Sequence, residues 1–554
     1  MERIWLDHYP PGVPADITDR ANSYSSLVSL FEESCSRYAE KTAYISMGAT
    51  MTYGQLDERS RHFAAWLQSI GVNKGDRVAL MMPNLLQYPV CLFGTLRAGA
   101  VVVNTNPLYT ATELEHQLSD SGAETIIIAE NFASTLQQAL PKTAIKRIVV
   151  TSLGDMLGLV KGAITNLVVR HVKKLVPAWS LPNTISLNHA LSAGKQARYT
   201  PVPLNHTDMA FLQYTGGTTG VAKGAILTHG NIVSNVCQAH AWVKPYLREG
   251  EECIVTALPL YHIFALTANC LTFMKLGAQN LLIVNARDIP DLVKSLGKVK
   301  FTAITGVNTL FNALLNNPDF SKLDFSSLRI TLGGGMAVQE VIAQRWLKTT
   351  GKPIAQAYGL TETSPAVTIN PFDKVTFNGS IGLPVPSTEI AIRDNDGHDL
   401  PQGESGEICV RGPQVTPGYW NRPDETKKTF DPDGFLHTGD IGYINPEGYI
   451  FIQDRKKDMI LVSGFNVYPN EVEAVAMQHP DVLEAAAIGI PDEHSGEVVK
   501  LFVIRKNNSL TEEALIKHCR SMLTGYKSPK SVEFRDELPR TNVGKILRRK
   551  LKES

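Results

Sequence analysis

The sequence predicts an α/β protein: a large N-terminal domain of α/β layers with a small antiparallel β section, followed by a small C-terminal α/β domain. Three observations carry this. Helix-like and strand-like segments alternate through most of the chain, the texture shifts to short strands with Gly, Pro and Asp turns after about residue 375, and mixed patterns return from Lys456 onward. A chain of 554 residues is long enough for several folding units with buried cores.

In order, "SSLVSLFEESCSRYAE" and "LDERSRHFAAWLQSIG" place apolar residues at helical spacing, the second closing on Gly71, whereas "RVALMM", "AVVVN" and "TIIIA" are short apolar runs bounded by turn signals. Such alternation predicts largely parallel strands. It recurs where "KFTAITG" precedes "VNTLFNALLNN" and where "SLRITLGGG" precedes "VQEVIAQRWLKTTG". "GEICVRGPQVTPGYW" and "DGFLHTGDIGYINPEGYIFIQD" predict antiparallel strands, and "NEVEAVAMQHP", "EAAAIGIPD", "VKLFVIRK" and "TEEALIKHCRSML" supply the last domain. The expected division is 1–455 and 456–554.

Composition excludes several classes. Lys+Arg and Asp+Glu are equal at 54 each, 43% of residues are apolar and 19% charged, which fits a folded globular chain and argues against nucleic acid as a partner. Cys35, Cys91, Cys237, Cys253, Cys270, Cys409 and Cys519 are scattered, with no C-x-x-C pair, so reduced thiols and a cytoplasmic location are expected. The opening "MERIWLDHYPPGVPADI" has no apolar run of the kind a secretory signal needs. The uncharged stretch from Val78 to Leu96 is interrupted by Pro83, Asn84, Gln87 and Pro89 and predicts buried core. Met156 to Trp179 predicts a basic amphipathic helix, with Val160, Ile164, Leu167, Val168, Val172, Leu175 and Val176 on one side and Arg170, Lys173 and Lys174 opposite. Such a helix either lies in an anionic membrane surface or packs on its own domain with a solvated basic face, and the sequence leans toward the second.

The sharpest chemical feature is "YTGGTTGVAKG", residues 214–224. Its glycines (Gly216, Gly217, Gly220, Gly224), hydroxyls (Tyr214, Thr215, Thr218, Thr219) and Lys223 suit a loop that wraps a polyphosphate, the hydroxyls bonding oxygens or reaching a bound Mg²⁺. A Walker A loop needs G-x-x-x-x-G-K-[ST], and Ala222 and Gly224 around Lys223 break that pattern.

This loop resembles the phosphate loop of the acyl-adenylate-forming superfamily of AMP-binding enzymes. The family's other motifs follow in order: Gly333-Gly334-Gly335 after a strand, "AYGLTET" with Tyr358, Gly359, Thr361 and Glu362, "LHTGD" ending at Asp440, "QDRKKD" with Arg455 and Lys457, "VSGFNVYP" with Gly464, and "PRTNVGKILRRKL" with Lys545. The resemblance covers essentially the whole chain. It narrows to bacterial long-chain fatty-acyl-CoA ligases of fatty-acid degradation through the opening "IWLDHYPPGVPADI" and blocks such as "GDRVALMMPNLLQYPV", "NPLYTATELEHQLSDSGA" and "ALPLYHIFALTANCL".

It implies ATP and CoA as co-substrates, Mg²⁺ on Glu362 and Thr218, the glycines 333–335 and Tyr358 along the adenine, and Asp440 and Arg455 on the ribose. Lys545 is then the catalytic lysine of adenylation, His262 lies beside the carboxylate, and Lys457 is the hinge of a mobile C-terminal domain that brings Gly464 to the pantetheine in the second half-reaction. The position of a tryptophan gate in some relatives holds Leu266, with Phe264 as a candidate substitute. A fatty acid is the expected acyl substrate; a medium-chain or aryl acid, acyl-adenylate delivery to a carrier protein, or a non-catalytic sensor are the alternatives. A peripheral contact with the inner membrane surface and a homodimer complete the expected partners.

Overall fold

The computed structural model describes residues 3–215, 222–541 and 544–553. Two large sheets build the N-terminal part. One has seven strands in the order Thr184–Ser186, Arg147–Thr151, Thr125–Ala129, Arg77–Met81, Val101–Asn104, Met209–Thr215 and Lys223–Thr228, parallel except for the last pair. The other has nine, with a parallel centre of Cys253–Thr256, Ala303–Gly306, Ile330–Gly334 and Ile354–Gly359 and antiparallel strands at its ends. Parallel strands need helical crossovers, as the alternating sequence pattern predicts. The ends of one such helix, Ala111–Ser121, are written locally. Thr110 accepts from the Glu113 N–H, Glu113 accepts from the Thr110 N–H, and Gly122 ends the helix at φ +61°.

The antiparallel section is a four-stranded sheet, Glu389–Arg393, Gly406–Arg411, Leu436–Ile444 and Ile450–Arg455, and the C-terminal part has its own five-stranded sheet and apolar core. A turn at Lys456–Asp458 lies between the two sheets. Val78–Leu96 is core: the strand Arg77–Met81 and the helix Gln87–Arg97 are buried, and Asn84 donates to the carbonyls of Thr256 and Leu258. Among the described residues no helix is long and apolar enough to cross a membrane. All seven cysteines are free and buried.

Two elements differ from simple periodicity. The segment after His262 forms a π-helix, Ala265–Thr272. Its wide turns are pinned by Asn269, whose amide donates to the Val255 carbonyl and Thr256 hydroxyl and accepts from Thr305, while the Asn269 carbonyl accepts from Asn280. The second is the predicted helix over 156–179, which is a shorter helix, Leu159–Leu167, continued by a π-turn at Val168–Val172. It rests on its domain through Gly162 and Val169 rather than through the apolar stripe. Leu159, Val160, Ile164, Leu167, Val172 and Leu175 are instead exposed, Leu159 by 95%. Arg170 is no free cation, since its guanidinium pairs with buried Glu130 at 2.6 Å.

Asn269→Leu keeps the branched shape but removes the donor to the Val255 carbonyl and the Thr256 hydroxyl and the acceptor of the Thr305 hydroxyl, while the backbone carbonyl that Asn280 uses remains. It is expected to destabilise the protein by about 2–4 kcal/mol in urea unfolding, where a surface substitution costs about 0.5.

Candidate active site

Ligands of open parallel sheets sit beyond the C-terminal ends of the strands. Here those ends converge from both sheets. Asn104, Gln213 and Thr215 of the seven-stranded sheet and Thr305, Gly334 and Gly359 of the nine-stranded one border a single cavity of about 1670 Å³. The far wall comes from the C-terminal part, which contributes Lys545.

One region of the cavity is polar. Tyr358 lies on the strand Ile354–Gly359, and its hydroxyl donates to Asp440 Oδ2 at 2.6 Å; burial and the Asp440 charge push its pKa well up. Asp440 and Arg455 face each other across an antiparallel pair, with Arg455 Nε 3.2 Å from Asp440 Oδ1. Oδ2 thus already accepts from Tyr358 and Oδ1 is ion-paired with Arg455, and each retains a lone pair for a further donor. Thr361 and Glu362 sit on the short turn Thr361–Thr363, and Glu362 Oε1 accepts from the Tyr419 hydroxyl at 2.7 Å. Gly359 is required sterically, because a Cβ there would fall 1.9 Å from the Pro365 carbonyl oxygen. Gly334 and Gly335 border the cavity, whereas Gly333 does not; its missing Cβ would strike Val338 and Ile354 at 2.7 and 2.8 Å, so it serves strand packing.

Lys545 closes this region. Its loop is self-bonded, with the Thr541 N–H donating to the Lys545 carbonyl and the Lys545 N–H to the Thr541 hydroxyl. Lys545 Cε stands 3.7 Å from where a Cβ of Gly335 would be. Burial, then Arg455, draws the ammonium down to about 8, against the opposing pull of Asp440 and Glu362. His262 also lines the cavity; burial, then Lys545, draws it down to about 3, so the imidazole is neutral. Lys457 borders the cavity too, and burial followed by Arg455 lowers its pKa.

The described ends of the expected phosphate loop are paired antiparallel strands. Thr215 pairs with Lys223 and Tyr214 with Gly224; Gly216, Gly217, Thr218, Thr219 and Gly220 fall outside the described residues. Tyr214 directs its hydroxyl to Asp120 at 2.8 Å, and Lys223 pairs with Glu425 with its ammonium 5.4 Å from the Tyr419 ring centre. Gly464 is elsewhere, in the turn between Ile460–Val462 and Phe465–Val467, and it does not border the cavity. A Cβ there would meet nothing within 4 Å in this arrangement, but φ of +83° favours glycine on backbone grounds.

The other region is apolar. It is a slot between the parallel strands of the nine-stranded sheet and two helices, His229–Val243 and the π-helix. Asn235, Ala239 and Val243 face it at four-residue spacing, and Thr267 and Thr272 of the π-helix at five-residue spacing, with Ala268 and Phe273 beside them. Leu266, at the gate position, is fully buried and does not border the slot, whereas Phe264 does, against Gly334. Sequence reasoning missed Tyr419, Glu425 and Asp120; "PGYWN" reads as strand and turn, and only the fold brings Tyr419 to Glu362.

A polar end whose ammonium has no ion-pair partner among the described residues, joined to an apolar slot, suits an enzyme that handles a phosphate-bearing and an acyl group together. The chain belongs to the AMP-binding enzyme family: residues 31–420 match AMP-binding enzyme and residues 471–545 match its C-terminal domain. It is 59% identical over 554 residues to a long-chain-fatty-acid–CoA ligase of Escherichia coli O6:H1, covering 100% of this chain and 98% of that one. It is 52% identical over 556 residues to a long-chain-fatty-acid–CoA ligase of Haemophilus influenzae, with the same coverage. Among solved structures it resembles the anthranilate CoA ligase AuaEII in complex with anthranoyl-AMP, at TM-score 0.85 and 27% identity over 96% of this chain and 97% of that one.

Titration of Lys545 in the ligand-free protein, followed by NMR of the selectively labelled lysine, is expected near pH 8. Asp440→Asn removes a charge that favours the ammonium, so the midpoint is expected to fall further; a rise would contradict the electrostatics described.

Proposed function

We propose that this protein is a long-chain fatty-acid–CoA ligase that converts ATP, a fatty acid and CoA to acyl-CoA, AMP and diphosphate through an acyl-adenylate, activating fatty acids for β-oxidation. The observation that carries this reading is the single cavity that joins Lys545, Glu362 and the Tyr358–Asp440–Arg455 group to a deep apolar slot. From Gly334 to Ile330 the slot runs four residues of strand, about 13 Å, and from Asn235 to Val243 eight residues of helix, about 12 Å. At about 1.25 Å per methylene, from bonds of about 1.5 Å at tetrahedral angles, that depth takes about ten methylenes. Each is worth about 0.8 kcal/mol on burial, so the slot favours a long chain over an aryl ring.

A carboxylate is a poor acyl donor because its leaving group would be oxide. In the first step the fatty carboxylate attacks the α-phosphorus of ATP, forming the C–O–P bond of the adenylate and breaking the bond to pyrophosphate. Such transfer rests on positioning and charge neutralisation. Lys545, protonated below about pH 8, would bridge the carboxylate and the α-phosphate, bringing two anions together. Neutral His262 would meet the carboxylate without adding charge, Asp440 and Arg455 would hold the ribose hydroxyls, and Tyr358 would lie along the adenine.

Glu362 suits a Mg²⁺ ion: it is a hard oxygen donor on the cavity wall whose Oε1 is fixed by Tyr419, leaving Oε2 for a metal, with Thr218 as the second expected ligand. When bound with ATP, Mg²⁺ supplies charge neutralisation on the departing pyrophosphate. Before the second step, rotation about Lys457 withdraws Lys545 and brings the Gly464 turn to the cavity; the CoA thiol then attacks the acyl carbon, forming the C–S bond, breaking the acyl C–O bond to AMP and releasing the thiol proton to solvent.

We also propose peripheral contact with an anionic membrane surface through residues 159–175. Six of the thirteen exposed large hydrophobic side chains among the described residues cluster there, beside exposed Lys161, Lys173 and Lys174. Seating each in an acyl layer is worth about 1–2 kcal/mol.

A panel of palmitate, octanoate and benzoate, with and without CoA, is expected to show pyrophosphate release greatest with palmitate and thioester only with CoA; a preference for benzoate would contradict the assignment. Lys545→Ala should lose pyrophosphate formation by at least about 100-fold yet retain thioester formation from preformed acyl-adenylate, and equal loss of both would rule out alternation. In sedimentation with phosphatidylglycerol liposomes, Val160→Ser with Ile164→Ser is expected to leave the protein in the supernatant, and unchanged partitioning would dismiss the membrane face.

A further inference from the structure

A buried ionic cluster ties the Lys545 loop to the turn at Lys456–Asp458. Arg548 follows Lys545 by three residues, and its guanidinium donates to Glu473 Oε1 and Oε2 at 2.8 and 3.0 Å and to Asn470 Oδ1 at 3.0 Å, with Asp458 3.5 Å away. Glu473 is 8% exposed and its Oε1 also accepts from the Ala487 N–H. Asn470 and Glu473 belong to the helix Pro469–Ala476, and Asp458 to the turn. The remaining member comes from before the turn: Asp454, 1% exposed on the strand Ile450–Arg455, accepts from the backbone N–H of Asn470 at 2.8 Å and of Arg455 at 2.7 Å.

We propose that Arg548 is a positioning residue for Lys545 and that the Asp454–Asn470 bond, buttressed by Arg548, is the latch that holds the C-terminal part in its adenylate-forming arrangement. The proposal rests on the reading of function above. A rotation about Lys457 leaves Asp454 with the N-terminal part and carries Asn470, Glu473 and Arg548 away together, so the Asp454–Asn470 bond must break while the Arg548–Glu473 pair travels intact. That division suits a reversible latch: the internal pair keeps the Lys545 loop rigid, and across the turn Asn470 makes one charge-assisted bond, its N–H to Asp454, beside a longer one from its amide to the Gln453 carbonyl at 3.4 Å. Burial pushes the Asp454 carboxyl up to about 6 even though Arg548 draws it down, so the contact forms against a desolvation cost and is poised to open. Neither residue touches the reacting atoms; both act through Lys545.

The test compares the two half-reactions in the full-length protein. Asp454→Asn keeps the size of the side chain, and Arg548→Lys keeps the charge while losing the fork that spans both Glu473 oxygens. In both variants carboxylate-dependent ATP–pyrophosphate exchange is expected to fall about 10- to 100-fold in kcat, with KM for ATP little changed. Thioester formation from preformed palmitoyl-adenylate should be unchanged or faster. Thermal unfolding of both variants separates a folding defect, which would lower both half-reactions, from loss of the latch, which lowers only the first. Equal loss in both half-reactions, or no loss in either, would overturn the latch alone. A wild-type protein without carboxylate-dependent exchange would overturn the functional reading and the latch with it.

Discussion

The arrangement depends on one costly placement, an ammonium brought into a cavity without a dedicated counter-ion. Among the described residues no ion pair engages Lys545, and Arg455 and Lys457 add to its positive surroundings. Asp440 and Glu362 are near enough to favour the charge but are themselves held by Tyr358, Arg455 and Tyr419. A cation left under-compensated in this way is a standing attraction for phosphate and carboxylate groups, and it lets two anions approach each other. The fold sets the place. Strand ends from two sheets make the floor, and a separate small sheet carries the lysine in from above.

The same cavity explains why acyl and nucleotide chemistry meet. The strand Ile330–Gly334 begins in the apolar slot at Ile330 and ends at Gly334, where Phe264 and the path to Lys545 begin. A chain lying along that strand therefore presents its carboxylate to the polar end. The π-helix lines the slot with Thr267, Ala268 and Thr272, and Phe273 follows directly after it. Its anchor, Asn269, turns outward-looking polar groups of the core into a fixed wall.

Much of this was legible in the sequence. The alternation of "RVALMM", "AVVVN" and "TIIIA" with helical segments gave parallel layers, and the turn-rich stretch after 375 gave the antiparallel sheet. Glu362, Asp440, Arg455 and Lys545 were found through motif order, and the fold brings all four to one cavity. What was hidden depends on three-dimensional placement. The stripe of Val160, Ile164 and Leu167 marks a helix face, but periodicity does not say whether that face turns in or out; the neighbours of Gly162 and Val169 decide. The tight packing around Gly333 is set by Val338 and Ile354 and not by the motif, and Tyr419 and Arg548 carry no local signal because their partners, Glu362 and Glu473, lie 57 and 75 residues away.

The central claim is that the fatty carboxylate becomes bonded to the α-phosphorus in this cavity. The most direct measurement uses palmitate labelled with ¹⁸O in its carboxylate and follows the label by mass spectrometry after turnover with ATP and CoA. Transfer of a labelled oxygen to AMP is the predicted result. Label found in pyrophosphate or inorganic phosphate, with unlabelled AMP, would contradict it.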